Sequence, residues 1–77
     1  MSMKYIIYDD NQVFIFDQSW SHQNVVFNLN LENILSAGMI DIRDNIITCW
    51  GESTTLDIKS RKSVDTNIIL KYLKSSS

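Results

Sequence analysis

The stretch that decides the fold is MIDIRDNIITCWGESTTLDIK, residues 39–59. Its IDIR run at 40–43 alternates apolar and charged side chains, which is typical of a strand with one buried face. Asp44 and Asn45 fit a two-residue reversal, since both tolerate a positive φ better than most residues. An apolar return strand follows, and after a break the alternation resumes at residues 55–59. The stretch therefore predicts a three-stranded antiparallel meander.

The CWGES segment at residues 49–53 raises a question of chemistry, because it places a thiol, a carboxylate and a hydroxyl close together. A thiol nucleophile needs an adjacent base and an orienting group, and His22 is the only histidine. The local signatures of cysteine proteases and of a nucleophile elbow are absent. Free cysteines are most often buried as small hydrophobes. We therefore interpret CWGES as a strand end that leads into a glycine turn, with Cys49 in the core and with Glu52 and Ser53 exposed.

Upstream of the meander, two apolar runs predict an N-terminal hairpin. KYIIYD at residues 4–9 and VFIF at residues 13–16 are aromatic and β-branched, as strands are, and turn-forming residues separate them. Both runs are apolar on both faces. We therefore expect the sheet to be covered on more than one side.

The segment that follows fits two templates. A serine cap near residue 19 and an apolar face formed by His22, Val25, Val26 and Leu29 indicate a helix. Residues 27–32 instead alternate apolar and polar side chains, as a strand does. We favour a helix over about residues 19–29, with residues 32–37 as a connection to the next strand.

Downstream, Ser63 is a good helix cap, and Asp65 falls in the first turn, where a negative charge favours the helix dipole. An apolar stripe at helical spacing follows, formed by Val64, Ile68, Ile69, Tyr72 and Leu73. The whole pattern predicts an α+β fold, in which an antiparallel sheet of about five strands (a hairpin plus a three-stranded meander) packs with one or two helices. We expect a single domain at residues 1–74 and a disordered tail at 75–77.

Length and composition limit the functional classes. A chain of 77 residues with one cysteine has no internal disulfide. One histidine and one cysteine are too few ligands for a structural zinc site, which needs four. We predict no metal and no cofactor. Because a core of this size is marginal, self-association as a homodimer is expected. We see no secretory leader and no apolar run of membrane-spanning length, so a cytoplasmic location is expected.

Charge is unevenly distributed along the chain. Residues 1–58 carry eight acidic and two basic side chains, whereas residues 59–77 carry five basic and one acidic. Lys59, Arg61 and Lys62, with Trp50 nearby, could bind a phosphate group of a nucleotide or nucleic acid. The alternative is a solvated helix whose lysines interact favourably with its dipole.

The expected binding residues lie beside breaks in the pattern. Only two glycines are present, so a phosphate-binding glycine loop is excluded and we do not predict an enzyme. Tryptophan and arginine are favoured at interface hot spots, although each tryptophan could instead cap one end of the core. If the protein has a binding surface, its candidate residues are Trp50, Glu52, Arg61, Lys62 and Trp20.

Three segments together resemble a known group of proteins. SAGMI at 36–40, CWGESTTLDIKSR at 49–61 and DTNIIL at 65–70 are similar, in that order, to segments of small uncharacterised bacteriophage and prophage proteins. The chain departs from their pattern at residues 62–64, where KSV replaces a shorter, proline-containing link, and this puts the exact helix start in doubt. The resemblance implies a phage-encoded accessory protein in the host cytoplasm, and it carries over no catalytic residues. We expect such a protein to bind a host protein or complex, for example to inhibit a defence system.

Overall fold

The computed structural model describes residues 2–75 and confirms the α+β class. The elements are β1 (Ser2–Tyr8), β2 (Gln12–Phe16), α1 (His22–Leu29), β3 (Ile34–Arg43), β4 (Ile46–Trp50), β5 (Glu52–Ser53), β6 (Ile58–Lys59) and α2 (Ser63–Ser75). A four-stranded antiparallel sheet has the order β2-β1-β3-β4, and β5 pairs with β6 in a small second sheet. No helix within residues 2–75 is long and apolar enough to cross a bilayer.

Two tight turns shape the sheet as the sequence predicts. In the β1–β2 hairpin, Asp9 and Asn11 adopt positive φ values of 51° and 62°. In the β3–β4 hairpin, Asp44 and Asn45 have φ values of 51° and 66°. Aspartate and asparagine tolerate this left-handed region because their short polar side chains bond locally.

Both faces of the sheet are covered. On one face, buried residues of the sheet that include Tyr5, Ile7 and Cys49 pack with Ile69 of α2. On the other face, Ile6, Phe16 and Ala37 pack with Val25 of α1, and Leu56 and Ile58 from the β5–β6 region close over them. The apolar character of β1 and β2 on both sides reflects this double coverage.

The ambiguous segment folds as a helix. Ser21 caps α1, its hydroxyl accepting a hydrogen bond from the Asn24 amide at 3.1 Å, and Asn30 ends the helix in a left-handed conformation with φ 54°. The strand alternative for residues 27–32 is therefore wrong over the helical residues. Phe27 is 79% exposed, because it lies on the side of α1 away from the sheet.

Strand β3 begins earlier than predicted. Residues 34–38, assigned from sequence mostly to a connection, belong to the strand and pair with β1, and Ser36, Ala37 and Gly38 are buried there. Small side chains are required there, since a Cβ on Gly38 would stand 2.5 Å from the Trp50 carbonyl oxygen and 3.0 Å from Ser60 Cβ. Small residues do not alternate between apolar and polar side chains, so the sequence pattern does not indicate a strand at this position.

The third strand of the predicted meander leaves the main sheet. Gly51 has a φ of 78°, and beyond it β6 pairs with β5 instead of with β4. Ser53, expected to be exposed, is 1% exposed. Its hydroxyl accepts a hydrogen bond from the Leu56 amide at 3.2 Å, so it holds the turn of the small hairpin together.

Helix α2 begins at Ser63, which is the first helical residue and not a cap outside the helix. Its buried face contains Asp65 and Ile69, with Ile68 and Leu70 partly buried. The remaining members of the predicted stripe are 38–50% exposed; they are Val64, Tyr72 and Leu73. Ser75, placed from sequence in a disordered tail, is the last described residue of α2, and residues 76 and 77 lie outside the described residues.

Candidate functional site

A buried carboxylate joins α2 to the sheet. Asp65 Oδ1 accepts hydrogen bonds from Ser36 Oγ and Arg61 Nε, both at 2.9 Å. Asp65 Oδ2 accepts from the Tyr5 hydroxyl at 2.5 Å and from the Arg61 amide at 2.8 Å. The side chains of Asp65, Ser36 and Tyr5 are fully buried. Each carboxylate oxygen thus has two hydrogen-bond partners, so the carboxylate serves to hold these elements together.

The same cluster extends to further polar side chains. The Tyr5 hydroxyl is also hydrogen-bonded to Ser60 Oγ at 2.6 Å, and that oxygen accepts from the Lys62 amide at 3.0 Å. The Cys49 thiol interacts with the side chains of Thr66 and Tyr5. We call this set of side chains the Asp65 cluster; its members are Tyr5, Ser36, Cys49, Ser60, Arg61, Asp65 and Thr66. It ties three strands (β1, β3 and β4), the segment before α2 and the first turn of α2 into one unit.

Burial controls the ionisation of the cluster. Desolvation, reinforced by the hydrogen bond to Asp65, raises the pKa of Tyr5 far above its ordinary value. Desolvation likewise raises the pKa of the Cys49 thiol, outweighing its interactions with the side chains of Thr66 and Tyr5. A thiol that stays protonated is a poor nucleophile. Cys49 is 4% exposed and packs in the core, which confirms its predicted position.

Residues 36–40, 49–61 and 65–70, the three segments singled out from the sequence, meet in this cluster. Ser36 comes from the first segment, Cys49, Ser60 and Arg61 from the second, and Asp65 and Thr66 from the third. Sequence reasoning missed the cluster because its members have no common period. The sequence feature that could have revealed the cluster is the small polar or charged residue in each segment. Together the three segments fasten α2 to the sheet.

His22, which the sequence places on the apolar face of the helix, is buried, with 4% of its surface exposed. Its Nε2 lies 3.0 Å from the Gly38 carbonyl oxygen, and its ring meets the ring of Phe16 edge-on at 5.4 Å. Desolvation lowers the pKa of His22 in spite of the nearby Gly38 carbonyl. The imidazole is thus a neutral packing group on α1, whereas Cys49 packs with α2 on the other face of the sheet.

Four of the predicted binding residues lie near the β4–β5 corner. Trp50 ends β4 and is 38% exposed. The Ser60 amide donates to the Gly51 carbonyl at 3.0 Å, which places residues 50–52 beside residues 59–61. Glu52 and Lys62 are both exposed at this corner.

Two of the cations at this corner lie near carboxylates. Arg61 Nε donates to Asp65, and its side chain remains 36% exposed. Lys59 stands directly across from Glu52 in the β5–β6 pair, where opposite charges attract. Two of the three cations that motivated a phosphate site therefore face acidic groups.

The structure separates Trp20 from the other four residues. Trp20 is 56% exposed and borders an apolar groove of about 270 Å³ between β2 and α1. The groove is lined by Phe14, Phe16, Trp20, Val25, Asn28 and Leu29. The sequence identified Trp20 but not the groove, because the groove depends on how α1 packs over β2.

The segment that presents Trp20 is held by local polar contacts. Lys4 Nζ donates to the Trp20 carbonyl at 2.7 Å, and the Asp17 carboxylate accepts from the Ser19 hydroxyl and, at 2.9 Å, from the Ser19 amide. These bonds to Ser19 lower the pKa of Asp17 below its ordinary value. The loop before α1 is therefore fixed at both ends.

Within residues 2–75, no group of three or more histidine, cysteine, aspartate and glutamate side chains is placed to hold a metal ion. Comparison with models of known protein families, with curated proteins and with solved structures yields no match.

Proposed function

We propose that this chain is a small phage-type accessory protein that acts in the host cytoplasm by binding a host protein, such as a component of a defence system, and inhibiting it. The observation that carries the proposal is the apolar groove bordered by Trp20. A tryptophan that is 56% exposed beside Leu29, itself 50% exposed, is the kind of aromatic anchor that dominates protein interfaces. The phage resemblance supplies the host setting.

The buried polar groups support binding over catalysis. Asp65 is saturated by hydrogen bonds, and burial keeps the Cys49 thiol protonated and the His22 imidazole neutral. These are the groups from which a reaction centre would be built, and all are used to hold the fold together. The exposed surface, by contrast, offers apolar side chains.

Homodimerisation belongs to the same proposal. The tip of the β3–β4 hairpin exposes Ile42 and Ile46, by 45% and 67% respectively, on a part of the chain distinct from the groove. Apolar side chains in such a position favour self-association. Sedimentation velocity at increasing protein concentration tests this, with a dimer expected and a persistent monomer against it.

The alternative is a nucleotide or nucleic-acid ligand at the basic segment 59–62. It has weaker support, because Arg61 and Lys59 face Asp65 and Glu52. Titration with oligonucleotides at low and high salt distinguishes it, since phosphate binding weakens steeply as salt rises.

Affinity purification tests the proposed function. The tagged chain, used as bait in a lysate of the bacterial host, is expected to recover one protein in stoichiometric amount. A Trp20→Ser bait serves as the matched control and is expected to lose that protein. Repeated failure of the unaltered bait to recover a partner would contradict the proposal.

A further inference from the structure

Strand β2 is an edge strand. It pairs with β1 on one side, and within residues 2–75 no strand lies along its other side. Its sequence, QVFIF at Gln12–Phe16, contains no charge and no proline. Natural proteins usually protect an edge strand with charge, proline or a bulge, because its outer amides and carbonyls can pair with another chain. This edge lacks those devices.

The apolar groove runs beside the same edge. Phe14 and Phe16 of β2 form one wall and Val25 and Leu29 of α1 form part of the other. Side chains of an added strand alternate between the two faces of the sheet, so every second one would point toward α1. At about 270 Å³, the groove is smaller than the usual pocket for a drug-sized ligand and suits individual side chains. Backbone pairing and a side-chain site are thus offered together.

Charge decides between a second copy and a different partner. Asp9 and Asp10 precede β2 and Asp17 follows it, while the cations that border the strand are Lys4, bonded to the Trp20 carbonyl, and Lys71. If β2 paired antiparallel with itself about Phe14, Asp17 would lie next to the acidic turn of the second copy. Like charges in such positions are destabilising. A strand with lysine or arginine at its ends meets the acidic ends favourably.

We infer that β2 accepts an extended segment of a partner protein as an additional strand. That segment places alternate apolar side chains in the groove and carries basic residues at its ends. Main-chain hydrogen bonds provide affinity, and the groove provides selectivity. The inference rests on the proposed function, because it specifies the class of protein segment that the binding surface takes.

The probe is a library of random linear peptides, displayed and selected on the immobilised protein. Selected peptides are expected to alternate apolar and polar residues between basic ends. When one is synthesised and titrated into isotopically labelled protein, amide shifts are expected to concentrate in residues 12–16 and in α1. The same peptide with alternate backbone amides N-methylated loses the strand hydrogen bonds and is expected to bind much more weakly.

Two exposed positions of α1 form a matched pair of variants. Leu29→Asp places a charge in the groove and is expected to weaken the selected peptide by ~tenfold or more. Phe27 is 79% exposed and does not line the groove, so Phe27→Asp is expected to change affinity by less than ~twofold. Unfolding midpoints of both variants show that any loss reflects binding and not folding.

Several outcomes would overturn the inference: no peptide enriched by selection, shifts centred on Trp50, full affinity after N-methylation, or pairing of two copies through β2. Its failure is distinguishable from failure of the proposed function. A captured host protein that loses affinity for Leu29→Asp, while selection enriches no peptide, leaves binding through the groove standing and removes strand addition. If peptides bind at β2 while no host protein is captured, strand addition stands and the proposed function is removed.

Discussion

The buried carboxylate of Asp65 joins α2 to the sheet. It receives four hydrogen bonds from the sheet and from the segment before α2, and it is fully buried. Asp65→Ala leaves the partners of the carboxylate buried without it, so the free energy of unfolding is expected to fall by about 3 kcal/mol. Urea denaturation measures this. Glu32→Ala, at an exposed loop position, is the control and is expected to change stability by less than about 0.5 kcal/mol. Equal effects of the two substitutions would contradict the role of Asp65.

Because of His22, we expect the free energy of unfolding to fall as the pH becomes acidic. Its folded pKa is lowered by desolvation from the ordinary value of 6.5, so the unfolded chain binds the proton more readily. The stabilisation is present above pH 6.5 and is lost as pH falls below it toward the folded pKa. Urea midpoints between about pH 5 and pH 8 should show this decline. His22→Gln should flatten it, and an unchanged slope in that variant would assign the decline to another group.

At alkaline pH the pKa shifts have the opposite direction, so stability falls as pH rises. Burial raises the folded pKa of Cys49 and of Tyr5 above their ordinary values of 9.0 and 10.0. Their contribution to stability is fully present below those values and is lost as pH rises above them toward the raised folded pKa. The molecule should therefore be most stable between the acidic decline due to His22 and the alkaline decline due to the Cys49 thiol.

At the scale of elements, Gly38 determines how closely β3 approaches its surroundings. A Cβ there would stand 2.5 Å from the Trp50 carbonyl oxygen, a backbone atom that cannot move without shifting β4. Gly38→Ala is expected to lower the free energy of unfolding by about 2 kcal/mol or more. Thermal or urea unfolding measures the loss. A variant as stable as the unaltered chain would show that the strands have more room than this spacing implies.

Elements with a strong period were predictable from sequence, and elements without one were not. The alternation around Ile40 and the left-handed tolerance of Asp44 and Asn45 predicted the β3–β4 hairpin. The start of β3 at Ile34 escaped prediction, because Ser36, Ala37 and Gly38 are small for reasons of space and not of pattern.

The candidate site was predictable only in part, for a related reason. Trp20 stands out as an aromatic residue beside a break, whereas the groove arises from residues of β2 and α1 that meet only in three dimensions. The Asp65 cluster likewise joins residues as far apart in sequence as Tyr5 and Asp65. Local periodicity contains no information on such contacts.

At the scale of the whole molecule, the two tryptophans mark different edges of one sheet. Trp20 borders β2 at one end of the strand order, and Trp50 ends β4 at the other. The β2 side combines an open strand edge with an apolar groove. The β4 side combines a partly exposed indole with Arg61, which is paired with Asp65, and with Lys59, which lies across from Glu52. A partner that uses the first edge leaves the second available for self-association.

The most direct test of the central claim, that the chain binds a host protein through the groove beside Trp20, is a calorimetric titration of the captured partner with two variants. Trp20→Ser is expected to weaken binding by ~tenfold or more, as loss of an aromatic anchor does, with an unchanged unfolding midpoint. Trp50→Ser, the matched indole at the opposite edge, is expected to bind within ~twofold of the unaltered chain. Full affinity in Trp20→Ser together with loss in Trp50→Ser would contradict the account and assign recognition to the β4 edge.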